Sequence, residues 1–174
     1  NTGPCSPFGD LRLEGVQPMK IDLSADKVQY VVACSHLDTQ WLWTIQQTID
    51  EYLPATLLDN FALFERFPGY VLSFEGAYRY MLMKQHYPAE YARVKEYVAR
   101  GNWAPVGSMV DLPDVNLPCP ESLIRQILYG NLFFEREFGS RHIDIFLPDC
   151  FGFSFALPTI GAHCGLKGFS TQKL

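Results

Sequence analysis

The chain is 174 residues long, enough for one domain with a sizeable core. Apolar residues make up 48% and charged residues 19%, a balance that excludes a disordered chain. With 14 Lys and Arg against 19 Asp and Glu the net charge is −5, which excludes nucleic acid and an anionic membrane surface as natural partners. No apolar run is long enough to cross a bilayer.

Residues 1–26 are rich in Gly, Pro and Asp without a sustained period and read as an N-terminal arm or linker. The chain opens on Asn1 and shows no charged-then-apolar leader, so a cytoplasmic and an exported protein are equally compatible with it. From residue 27 the pattern changes. Val28–Ala33 is β-branched and apolar on both faces, as in a strand of a covered parallel sheet. Residues 44–67 are helical in pattern, with Pro54 expected to split the helix and Pro68-Gly69 to stop it. Tyr70–Phe74 is the second strand and residues 76–86 the next helix. Pro88 suits the first turn of a further helix, in which Tyr91, Val94 and Val98 share a face and Gly101 supplies the stop. Asn102–Val106 is a third strand, and Pro105 places it at an edge or near its end.

A loop rich in Pro and Asp follows from Gly107 to Cys119. A helix then runs from Pro120 to Gly139, with Leu123, Ile124, Ile127, Leu128 and Phe134 apolar. Ile143–Leu147 is the fourth strand, Leu157–Cys164 a short helix, and Gly168–Thr171 the start of a fifth strand. Repeated strand–helix units predict an α/β fold with a parallel sheet and right-handed crossovers. Five strands are too few to close an eight-stranded barrel, so the chain reads as an N-terminal portion of a longer protein; a small open-sheet domain is the alternative. The exposed edge of the fifth strand predicts self-association or contact with downstream segments.

The 25 aromatic residues (13 Phe, 9 Tyr and 3 Trp) suit either a large core or a surface that stacks on flat ligands. Five cysteines without a C-x-x-C spacing predict free, mostly buried thiols and neither a zinc ribbon nor a disulfide framework. No G-x-G-x-x-G, P-loop or G-x-S-x-G occurs, which argues against dinucleotide, nucleotide and serine-hydrolase chemistry.

In parallel α/β folds ligands bind at the carboxyl ends of the strands. His36, Asp38 and Trp41 follow the first strand and Glu75 the second. Asp111 and Asp114 follow the third, Asp149 the fourth, and Thr171 and Gln172 the fifth. His36 and Asp38, two apart in extended backbone, point to one side as a divalent-metal pair or as a hydrogen-bonded strand-end pair. Asp149 is either a helix cap or a carboxylate presented at the rim as ligand or nucleophile, and could complete three ligands with that pair. Trp41 and Phe151 suit the apolar face of a sugar ring, or ordinary core packing. His86, His142 and His163 read as surface or core histidines, and no partner can be named for Glu75 or Asp111.

These residues carry a resemblance to glycoside hydrolase family 38, the α-mannosidases. Residues 35–41 (SHLDTQW) resemble the family's H-x-D-x-x-W segment. Gly107-Ser108-Met109, residues 113–118 (PDVNLP) and residues 121–126 (ESLIRQ) are similar to its G-G-M, P-D-x-N-L-P and E-S-L-x-R-Q runs. Residues 147–154 (LPDCFGFS) resemble its D-x-F-G-x-S segment and residues 171–174 (TQKL) its T-Q-K-L strand. Ser108 replaces the second glycine, and Val110-Asp111-Leu112 departs from the aromatic and acid of many members.

The resemblance implies that residues 27–174 are the N-terminal portion of a zinc-dependent catalytic domain, part of an irregular α/β barrel. It implies zinc ligation by His36, Asp38 and Asp149, with Asp149 also the nucleophile, and mannose packing on Trp41 and Phe151. The implied activity is retaining hydrolysis of α-mannosidic bonds in mannose-containing oligosaccharides. A further zinc histidine and the acid/base carboxylate would lie downstream, so the chain alone is expected to be inactive. A zinc-dependent hydrolase of another class, such as a polysaccharide deacetylase, and a non-catalytic carbohydrate-binding fragment are the competing readings.

Overall fold

The computed structural model describes residues 22, 25, 27, 29 and 31–173. The expected arm at 1–26 falls almost entirely outside the described residues. Contacts divide the chain between Val31 and Val32, and the fold described below begins at Val32.

The first strand, β1 (Ala33–Cys34), is shorter and later than the apolar run predicts. Val32 is 70% exposed. β1 is bonded to a neighbour on one side over just two residues, so the preceding valines have no sheet to bury them. The helical segment starts at α1 (Ile45–Gln47), capped by Thr44 through a capping box with Gln47. It continues without a break through a π-turn (Thr48–Tyr52) into α2 (Leu53–Arg66). Pro54 therefore does not split the helix. The Leu53 amide bonds back to the Thr48 carbonyl, and Pro54 sits in the first turn of α2, where no amide proton is needed.

β2 (Leu72–Glu75) is buried along its whole length, and α3 (Ala77–His86) and α4 (Pro88–Arg100) follow it. Tyr91 and Val94 are buried on the inner face of α4, with Val98 packed against the same core. β3 (Trp103–Val106) is an edge strand, which is where Pro105 can be tolerated. α5 (Pro120–Phe138) buries Leu123, Ile127 and Phe134, while Leu128 lies on its outer face, 47% exposed. β4 (Asp144–Phe146), α6 (Ala156–His163) and β5 (Gly168–Ser170) complete the order.

Every strand pairing is parallel, as the strand–helix alternation predicts. The five strands do not form one ladder, however. β1-β2-β3 make a three-stranded sheet and β4-β5 a separate two-stranded one. The break follows β3, where Gly107 turns the chain at φ 74°, a conformation that favours glycine. A side chain there would also meet Phe146 Cβ at 3.1 Å. The chain still passes beside β4, since the Ser108 amide donates to the Asp144 carbonyl at 3.0 Å.

Each sheet has its own core. The first packs Leu53, Leu57, Phe61, Phe64, Phe74, Tyr80 and Trp103 between the three-stranded sheet and α2, α3 and α4. Trp103 is 1% exposed, and its indole N–H donates to the Tyr80 hydroxyl at 2.9 Å. Most of the aromatic content is thus core. The second packs Leu123, Ile127, Ile145, Leu147, Leu157 and Ile160 between β4, α5 and α6. The four described cysteines are free, but they are less buried than expected. Cys34 on the edge strand and Cys119 ahead of α5 are exposed, Cys164 is half-buried, and Cys150 is buried. No described helix is long and apolar enough to cross a membrane.

Candidate functional site

The carboxyl ends of both sheets deliver polar groups to one place. His36 follows β1 with its side chain 26% exposed. Its Nε2 lies 3.3 Å from Asp38 Oδ1 and 3.7 Å from Asp149 Oδ2. Residues 36 and 38 stand on the loop after β1, and residue 149 on the turn after β4, so the cluster spans the two sheets. The Lys173 ammonium, just past β5, pairs with Asp149 Oδ1 and lies 4.1 Å from the centre of the Phe151 ring. All three residues expected to ligate a metal are therefore neighbours. The arrangement is a cluster of facing charged groups and not a finished cage: among the described residues no group of three or more His, Cys, Asp or Glu is spaced to hold a metal ion.

The other nitrogen of His36 is also occupied. Nδ1 is 2.6 Å from Glu75 Oε1, and the Glu75 side chain, at the end of the buried central strand, is 1% exposed. Cys34 Sγ donates to Glu75 Oε2 at 3.5 Å. The hydrogen bond to Glu75 raises the His36 pKa above its ordinary value, helped by the charges of Glu75 and Asp38 and opposed by burial. Cys34 is exposed as a residue, but its thiol is turned against Glu75; desolvation there, then the Glu75 carboxylate, pushes the thiol up to about 12, which removes it as a nucleophile. Asp149 is held below the ordinary carboxylate range by the hydrogen bond from Lys173, against a smaller effect of burial. It stays an anion.

A second network fixes the loop that carries the pair. Arg79, in the first turn of α3, has a side chain 2% exposed. Its Nε–H donates to the carbonyl of Leu37, the residue between His36 and Asp38. Its Nη1 donates to Asp111 Oδ1 at 2.7 Å, and Asp111 Oδ2 accepts from the Thr39 hydroxyl at 2.8 Å. Glu75 and Asp111 thus have partners that the residue pattern did not name. Arg79 was missed altogether, although a cation in the first turn after a buried strand cannot be buried unpaired. Asp114 serves its own loop by accepting the Asn116 and Leu117 amides.

Trp41 and Phe151 are not core residues; they are 69% and 78% exposed. Trp41 meets Trp43 edge-on, and Phe151 reaches the cluster through Lys173. A cavity of about 240 Å³ opens between the sheets beside His36, lined also by Cys34, Phe146, Pro148, Thr171 and Gln172. A larger one of about 300 Å³ lies against α6 and β5 but contains neither carboxylate nor imidazole. Among the remaining histidines His86 and His163 are exposed, while His142 is half-buried against Phe134.

The model of the glycosyl hydrolases family 38 N-terminal domain matches residues 27–174, and the chain belongs to that family. It is 39% identical over 145 residues to alpha-mannosidase G of Dictyostelium discoideum, covering 83% of this chain and 13% of that protein. It is 38% identical over 139 residues to human alpha-mannosidase 2C1, covering 80% of this chain and 13% of that protein. The chain thus spans 13% of the length of these curated relatives. Among solved structures, an alpha-mannosidase from Enterococcus faecalis V583 superposes with a TM-score of 0.70 at 24% identity, covering 80% of this chain and 16% of that one. This last likeness concerns the fold, and it agrees with the α/β class read from the sequence.

Proposed function

We propose that the protein to which this domain belongs hydrolyses α-mannosidic bonds in mannose-containing oligosaccharides, with retention of configuration and with Asp149 as nucleophile. The observation that supports this reading most is the meeting of Asp149 with His36 and Asp38 at the carboxyl ends of two sheets in a family 38 domain. Asp149 is ionised at neutral pH and carried on a turn beside an open cavity, as a nucleophilic carboxylate must be. Its oxygen would bond to the anomeric carbon as the glycosidic C–O bond breaks. A second carboxyl group, from outside this chain, would protonate the leaving oxygen and then take a proton from the water that cleaves the glycosyl ester. The exposed faces of Trp41 and Phe151 suit the apolar face of the sugar ring.

By donor type, and not by their spacing in this structure, His36, Asp38 and Asp149 suit zinc: one imidazole, tied at its far nitrogen to a carboxylate, and two carboxylates near its other nitrogen. Bound there, zinc would supply positive charge that holds sugar hydroxyls and offsets carboxylate charge.

In the full-length protein, Asp149→Asn should abolish turnover of an aryl α-mannoside while leaving the fold intact; unchanged turnover rejects the nucleophile. His36→Ala should remove bound zinc measured by elemental analysis, and retained stoichiometric zinc rejects the metal assignment. Anomeric analysis of the product separates a retaining glycosidase from a deacetylase, which releases acetate. The 174-residue chain alone should show no mannosidase activity.

A further inference from the structure

Glu75 is the most deeply buried carboxylate near the site. A carboxylate with a side chain 1% exposed must be paired or protonated, and its partners are the His36 ring and the Cys34 thiol. The contact with His36 is short, 2.6 Å, and is made to Nδ1. With Nδ1 engaged by Glu75, the other ring nitrogen, Nε2, is turned to the rest of the cluster. It faces two carboxylate oxygens, at 3.3 Å on Asp38 and 3.7 Å on Asp149. Lys173 pairs with Asp149 through its other oxygen, so the space in front of Nε2 is bounded by the imidazole and two carboxylate oxygens, a setting that favours a positive centre.

We infer that Glu75 is a positioning residue of this site: it fixes the plane of the His36 ring so that Nε2 is presented, with Asp38 and Asp149, to a divalent cation. The inference rests on the zinc reading proposed above and adds to it a residue outside the ligand set. Its place in the fold suits the role. Glu75 ends the central strand, bonded in register to Val106 on β3, and the strand is buried throughout. The carboxylate is therefore carried by the central and most buried strand of the sheet, whereas His36 stands on a loop. Cys34, on β1, holds the second oxygen and leaves the first for the ring. Outer carboxylates of this kind change metal affinity by roughly 10- to 100-fold when removed.

The test is zinc binding by the full-length protein, with zinc alone as the probe and a competing chelator to read affinity. Glu75→Gln keeps the volume and one acceptor, and should weaken zinc binding by about 10-fold. Glu75→Ala should weaken it by up to about 100-fold. Cobalt-loaded Glu75→Gln should also show shifted visible absorption bands, because the ligand field of the imidazole changes. A purely structural role would lower thermal stability while leaving affinity and cobalt spectrum of the folded protein as in the wild type, and that result overturns the inference. His36→Ala separates the two levels. If it loses zinc while Glu75→Gln and Glu75→Ala bind normally, the role of Glu75 fails and the metal site stands; if it keeps full zinc, the metal site itself fails. Should Glu75→Ala not fold, Glu75→Gln decides.

Discussion

Replacing Arg79 by methionine removes the frame behind His36 and Asp38 while keeping most of the apolar stem. Two interactions disappear together: the bond to the Leu37 carbonyl and the ion pair with Asp111 at 2.7 Å. Two unit charges about 4 Å apart are worth about 4 kcal/mol at an effective dielectric of 20. The Asp111 side chain is 32% exposed and can regain water, so solvent screening leaves about half of that, ~2 kcal/mol, as net coupling. The Leu37 carbonyl, stripped of a charged donor, adds about 1–2 kcal/mol. Arg79→Met should therefore cost ~3–4 kcal/mol of stability. Asp111→Ala should cost about 3–5 kcal/mol, because it strands the buried Arg79 guanidinium, and the double variant should fall short of the sum by at least about 2 kcal/mol. Urea unfolding of the four proteins, followed by the fluorescence of buried Trp103, measures all three quantities. A coupling below about 0.5 kcal/mol would mean that the two groups are independently solvated and that the loop is held by something else.

Four other outcomes follow from the structure. The Glu137 side chain, 7% exposed, meets Lys84 at 2.6 Å, Lys95 at 3.6 Å and the Tyr91 hydroxyl at 3.2 Å. Burial alone would raise its pKa, but the hydrogen bond and charge of Lys84, with Lys95, hold it below the ordinary 4.5. Its contribution to stability is thus complete above that pH and is lost as the pH falls through the lower folded value; Glu137→Gln should flatten this acid limb in a series of urea melts. Gly130→Ala should destabilise by about 1–3 kcal/mol in the same assay, because a methyl group there meets the backbone of Ser108, Met109 and Val110. Trp41→Ala and Phe151→Ala should each raise KM for an aryl α-mannoside about 5- to 10-fold in the full-length enzyme, the loss of roughly 1–1.4 kcal/mol of sugar stacking; unchanged KM values would remove both aromatics from the site. Every residue of β5 is exposed, Phe169 at 44%, so size-exclusion of the isolated 174-residue chain should show association, and a clean monomer at high concentration would contradict it.

What could be read in the sequence was the order of elements and the meeting of three site residues. The periodic apolar faces of α4 and α5 and the stops at Gly101 and Gly139 are local signals, and they survive folding. The convergence of His36, Asp38 and Asp149 follows from parallel pairing, which puts all carboxyl ends on one rim. The two-sheet division was not legible, because strand pairing is a long-range choice and the turn at Gly107 has no period. Val31 and Val32 show the limit of reading apolar as buried, since both are exposed. Pro54 shows another limit: the wide turn ahead of it is set by backbone bonding and not by residue type. Glu75 and Arg79 were within reach. A charge at the end of a short apolar-rich strand that is buried along its length has nowhere to be hydrated, and that alone calls for a counterpart.

The seam between the two sheets has a mechanical consequence. One half of the chemistry rides on the three-stranded sheet and the other half on the two-stranded one. A slip of a few tenths of an ångström between the halves would leave every ladder bond intact, yet it would open or close the 3.7 Å gap between His36 and Asp149 directly. The domain thus behaves like the two jaws of a vernier, in which whatever braces the jaws from outside sets the calibration of the instrument.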